Sequence, residues 1–65
     1  MGENLRYLRK KQGLTQAELA TLSHVPRICI VRYEAGEHQP GMDNARKLAA
    51  ALGVTVDELI GKEAS

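Results

Sequence analysis

The chain has no tryptophan, no phenylalanine and a single cysteine among its 65 residues, and two tyrosines are its only aromatic side chains. One cysteine excludes an internal disulfide, and His24, Cys29 and His38 stand apart, without the spacing of metal ligands. With neither staple nor metal, a chain near the lower size limit for folding must be held by packed aliphatic side chains. There is no apolar run of about 18 residues and no leader-like apolar segment, so neither a membrane span nor a signal peptide is expected. A free thiol without an export signal fits a reducing, cytoplasmic setting. No segment alternates with period two over a useful length, and there are no repeats, linkers or low-complexity stretches. One domain is expected over residues 1–65, with an ordered core from about 3 to 60.

Catalysis lacks its parts as well. No Ser, His and acid pattern, no glycine-rich phosphate cradle and no pocketed pair of carboxylates can be found, and a small set of short helices offers little concavity. An enzyme is not expected, nor a cofactor, a metal or a small-molecule ligand.

What is present is a polarity along the chain. The net charge of +1 divides into +4 over residues 1–33 and −3 over residues 34–65. The basic half is suited to a polyanion, although the total charge is too small to argue for one unaided.

That basic half contains the stretch LTQAELATLSHVPRICIVRYEAG, from Leu14 to Gly36. Thr15-Gln16-Ala17-Glu18 has the form of a capping box, with Leu19 and Ala20 facing inward behind it. A turn is expected at Ser23-His24-Val25, with Pro26 suited to the first position of a new helix that stops at Gly36. Before this pair, Met1 to Gln12 reads as a helix with Leu5 and Leu8 on one face, closed by Gly13. After it, a loop at Glu37-His38-Gln39-Pro40-Gly41 leads to a helix over Met42 to Leu52. There Ala45, Leu48, Ala49 and Leu52 form the cleanest amphipathic stripe in the chain. Gly53 ends that helix. Thr55-Val56-Asp57-Glu58 opens a short fifth one carrying Leu59 and Ile60, and residues 61–65 read as a frayed tail. The expected fold class is all-α, five short helices without strands.

In this order the segments L-T-Q-A-E-L-A, I-V-R-Y-E-A-G, a Pro-containing loop, K-L-A-A-A-L-G-V and D-E-L resemble the DNA-binding domain of phage Cro and CI repressors and their bacterial relatives. The resemblance runs from about Leu5 to Ile60. It implies a lambda-repressor-like domain whose helices 2 and 3 form a helix-turn-helix. Helix 3 would lie in the major groove of double-stranded DNA, as half of a homodimer on a pseudo-palindromic operator. It further implies that Arg27, Ile28 and Arg32 face base edges, the arginines suiting guanine. Gln16, with Thr15 beside it, matches the phosphate-holding start of helix 2, and Val31 lies near the DNA backbone. Arg9 and Glu34 match a structural ion pair between helices 1 and 3, Ile30 and Tyr33 match inward positions, and Val56 and Ile60 lie at the usual dimerising end.

Several positions depart from the family pattern. His24 stands where glycine is common in the turn, Pro26 replaces a Ser or Thr cap, and Ala35 replaces Asn or a basic residue. Glu37-His38-Gln39 replaces a basic loop. Phosphate anchoring would then fall to N–H groups near Gly36 and the start of helix 4, with Asn44, and weaker, more salt-sensitive binding is expected.

Other readings of the same residues stand beside these. Lys10 and Lys11 serve either as phosphate contacts or as cations at the negative end of helix 1. Ile28 and Val31 are thymine-methyl contacts, a protein-contact patch, or one packed and one merely exposed aliphatic. A regulator reading bases through helix 3 is therefore set against a protein-interaction module, such as an antitoxin, using the Ile28 and Val31 patch. Cys29 is either a redox-sensitive thiol beside the arginines or a small residue filling the gap between helices 2 and 3. His24 and His38 read as solvated loop residues.

Overall fold

In a computed structural model, which describes residues 1–61, the chain forms α1 (Gly2–Lys11), α2 (Gln16–Ser23), α3 (Arg27–Ala35), α4 (Met42–Leu52) and α5 (Val56–Ile60). No strand occurs among the described residues. The tail expected to fray lies outside the described residues except for Gly61, which ends α5 with φ 79°.

Local chemistry fixes the helix ends. At α2 the Thr15 hydroxyl accepts from the Glu18 N–H (3.0 Å), and the Thr15 N–H donates to Glu18 Oε1 (2.9 Å). Thr55 and Glu58 repeat both bonds at α5. Such a box satisfies donors that a short helix would otherwise leave open, which matters most where only five residues are helical. At α3 the expected placement of Pro26 shifts by one. It is the cap residue, with φ −55° and ψ 140°, and the first helical residue is Arg27. Its extended ψ turns the chain into α3, and its carbonyl accepts from the N–H groups of Cys29 and Ile30. The other end of α3 closes at Gly36 (φ 79°), whose conformation lets the Glu37 N–H reach back to the Arg32 carbonyl (2.9 Å).

The core takes Leu5 from α1, Leu19 from α2, Val25 from the turn, Ile30 and Tyr33 from α3, the Ala45, Leu48, Ala49 and Leu52 stripe of α4, and Leu59 from α5. Helix α1 packs on α3 and α5, α2 packs on α3 and α4, and α4 packs on α5. Side-chain amides tie the ends together: Asn4 Nδ2 donates to the carbonyls of Glu58 and Leu59, and Gln12 Nε2 to that of Leu52. Gly2 sets the approach of α1 to α3. A Cβ there would stand 2.6 Å from the Tyr33 carbonyl oxygen and 2.8 Å from that of Glu34, so no larger residue fits without a backbone shift. The outcome is one helix, α3, gripped along its inner side by α1 and α2.

Candidate nucleic-acid interface

Successive residues of an α-helix are turned by about 100°, so Ile28, Val31 and Arg32 share one side of α3 while Ile30, Tyr33 and Glu34 share the other, and Arg27, the first helical residue, stands at the edge between them. The structure follows that division. Ile30, Tyr33 and Glu34 are buried, and Arg27, Ile28 and Arg32 are exposed, Ile28 at 57%. Val31, on the same side, is half-buried. Arg27, Ile28 and Val31 together line one shallow depression. Arg32 borders a second one, formed with Cys29, Tyr33, His38 and Gln39 between α3 and the loop beyond it. Cys29 is half-buried there.

Below this face lies a buried carboxylate. Glu34, 5% exposed, accepts from Arg9 Nε at 2.6 Å and from Arg9 Nη2 at 3.0 Å, a bidentate pair with the 8% exposed Arg9. Arg9 Nη1 also donates to the Leu14 carbonyl (2.8 Å), so one guanidinium joins α1, α3 and the entrance to α2. Two further residues converge on Glu34. Arg6, one turn before Arg9 and therefore on the same side of α1, stands 3.7 Å from Oε1. Gln16, expected at a phosphate, donates its Nε2 to Oε1 (3.1 Å). Arg6 could have been found from its i, i+3 spacing to Arg9; the Gln16 contact has no signal in the sequence. Burial pushes the Glu34 carboxyl up, but the hydrogen bonds from Arg9 and Gln16 and the charges of Arg9 and Arg6 outweigh it, and the group lies below the ordinary carboxylate range. The hydrogen bond to Glu34 holds the Arg9 guanidinium above its ordinary value, against the opposing effect of burial.

The remaining residues expected at phosphates are dispersed. Thr15 is exposed at the start of α2, where its hydroxyl serves the capping box and leaves the Gln16 and Ala17 N–H groups without helical partners. Gly36 is exposed at the end of α3. Asn44, half-buried in the first turn of α4, donates Nδ2 to the Tyr33 hydroxyl (2.9 Å). Lys10 and Lys11 are exposed on the last turn of α1, with Lys11 Nζ 5.9 Å from the centre of the Tyr7 ring. At the other end of the chain, Val56 is half-buried and packs against the core, so only part of it is open; Ile60 is half-buried as well. His24 takes the left-handed conformation (φ 61°) at the end of α2.

Two short helices meeting through a three-residue turn, with the second held by a buried ion pair and presenting cations outward, define a helix-turn-helix protein. A helix-turn-helix family model matches residues 5–59. The transcriptional repressor RstR of the cryptic phage CTXphi in Vibrio cholerae is 38% identical over 63 residues, which are 97% of this chain and 56% of RstR. The chain spans about half the length of such phage repressors. Among solved structures, the restriction-modification controller protein C.AhdI from Aeromonas hydrophila is similar with a TM-score of 0.85 at 40% identity, over 89% of this chain and 88% of that one. The DNA-binding domain of the C2 repressor of Salmonella phage P22 is similar with a TM-score of 0.87 at 33% identity, over 98% of this chain and 84% of that one. The chain belongs to the Cro and CI type of helix-turn-helix family.

Proposed function

We propose that this chain is a sequence-specific, double-stranded-DNA-binding transcriptional repressor that places α3 in the major groove. The observation that carries the reading is the exposed row of Arg27, Ile28 and Arg32 on a helix whose angle is held from behind by Arg9 and Glu34. Arg27 and Arg32 donate to guanine O6 and N7, and Ile28 meets a thymine methyl group. Val31 lies at the edge toward the sugar-phosphate strand.

Backbone contacts use the open N–H groups at the start of α2, with Gln16 and Thr15, and those near Gly36 and the start of α4, with Asn44. Lys10 and Lys11 add two cations. A homodimer formed through the open parts of Val56 and Ile60 on α5 would put two copies of α3 about 34 Å apart, one turn of duplex, on a pseudo-palindromic operator in the cytoplasm.

Enrichment of the protein on a randomised duplex pool at low salt tests this, with Arg27→Ala and Arg32→Ala in parallel. A two-fold symmetric site, relaxed at defined positions by each substitution, is the expected result. Enrichment of nothing beyond salt-sensitive bulk binding would overturn it and leave Ile28 and Val31 as a protein-contact patch, in the manner of an antitoxin or a regulator's partner.

A further inference from the structure

The Tyr33 ring is buried in the core, 6% exposed, yet its hydroxyl reaches the first turn of α4 and accepts a hydrogen bond from Asn44 Nδ2 at 2.9 Å. Because the amide donates, the phenolic proton is not used in this bond and is left to donate elsewhere. Tyr33 also lines a cavity of about 220 Å³ with Cys29, Arg32, His38 and Gln39. A water molecule takes about 30 Å³, so this space admits a phosphate group with waters around it. Its walls offer a guanidinium, an imidazole and a primary amide, and no carboxylate lines it.

We propose that Tyr33 donates its hydroxyl proton to a non-bridging oxygen of a DNA phosphate seated in this cavity, and that Asn44 is a positioning residue that orients the hydroxyl. The proposal rests on the DNA-binding reading above, and it gives the phosphate contact expected of Asn44 to the group that Asn44 holds. A hydroxyl fixed by a buried ring and a second hydrogen bond loses little freedom when it binds, and a bond to an ionised acceptor is among the stronger kinds. The cavity shares Arg32 with the base-reading face, so the phosphate belongs to the strand flanking the base that Arg32 contacts. A neutral donor also supplies here what the absent basic loop would supply by charge.

The test uses the full chain and the duplex recovered by enrichment. Tyr33→Phe removes only the oxygen, and affinity should fall about tenfold for each protomer bound. Base preference should not change, nor should the dependence on salt, since no cation is lost. Replacing the duplex phosphates one at a time by neutral methylphosphonate should reveal a position that weakens the natural chain more than it weakens Tyr33→Phe, since Arg32 faces that phosphate in both. Asn44→Ala should weaken binding in the natural chain and have little effect added to Tyr33→Phe. Thermal unfolding in the same buffer separates contact from packing, because a purely structural Tyr33 would lower the melting temperature without producing a phosphate-specific difference. Equal affinity of Tyr33→Phe and the natural chain for a site the natural chain binds would overturn this proposal alone. Absence of any DNA binding by the natural chain would overturn it together with the reading it rests on.

Discussion

With Ile28 at 57% exposure, the chain forgoes burial worth on the order of 1 kcal/mol, in a molecule whose core has few side chains to spare. Contact with a thymine methyl group would recover part of it on binding. Replacing thymine by uracil at the position facing Ile28 removes only that methyl, worth about 0.8 kcal/mol, or roughly a fourfold loss of affinity. Ile28→Ala should bind the two duplexes equally; an unchanged preference in that variant would assign the methyl contact elsewhere. His24 presents the opposite case, a side chain where the backbone favours none. Its φ of 61° is the conformation that Gly36 adopts freely, and a β-carbon there is strained by on the order of 1 kcal/mol. His24→Gly should therefore stabilise the fold by at most about 0.5 kcal/mol after the greater entropy of an unfolded glycine is counted, raising the melting temperature by no more than about 2–4 °C. A lower melting temperature would mean that the imidazole makes a compensating contact.

The element at stake is α3, whose outward face has meaning only if its inner face is fixed. Arg9→Ala leaves a buried carboxylate without its main partner and should destabilise the fold by roughly 3 kcal/mol, the low end for broken buried pairs, because Arg6 and Gln16 remain near Glu34. The same site sets an acid sensitivity. The Glu34 carboxyl is lower in the folded chain than in the unfolded one, so its stabilisation is complete above the ordinary carboxylate range and is lost as pH falls through the folded value. Melting temperature should thus fall below about pH 4.3 more steeply in the natural chain than in Glu34→Gln. Equal slopes would place the acid response in other carboxylates. Much of this element pattern is legible in the sequence, because helix ends are local events: the two Thr-x-x-Glu boxes, the glycines and the α4 stripe lie within a turn of what they control. The inward set of α3 has no such clarity. Glu34 lies among buried apolar neighbours, and only the family resemblance directed it to Arg9. Contacts such as Gln16 with Glu34 or Asn44 with Tyr33 depend on where separate helices come to rest, which no short-range pattern encodes.

At the scale of the whole molecule, the net charge is only +1 and the charges are unevenly placed. Counterion release counts cations at phosphates, each contributing about 0.9 to the slope of log affinity against log salt. On each protomer the cations that the proposed binding mode places at DNA are Lys10 and Lys11, with Arg27 and Arg32 at the bases. A dimer should accordingly show a slope of magnitude about 4 if only the lysines neutralise phosphates, and no more than about 7 if all four do. The proposed binding mode predicts the opposite of the salt sensitivity expected from the weakly basic loop: a domain that grips phosphates with N–H and O–H donors should bind weakly but lose comparatively little as salt rises. Lys10→Ala with Lys11→Ala should lower the slope by about 4 in the dimer while leaving base preference intact. Ile60→Asp should instead convert a two-site, cooperative isotherm into independent half-site binding by introducing a charge on α5. A slope that the lysine substitutions leave unchanged would remove α1 from the interface and confine phosphate recognition to the starts of α2 and α4 and the cavity beside Tyr33.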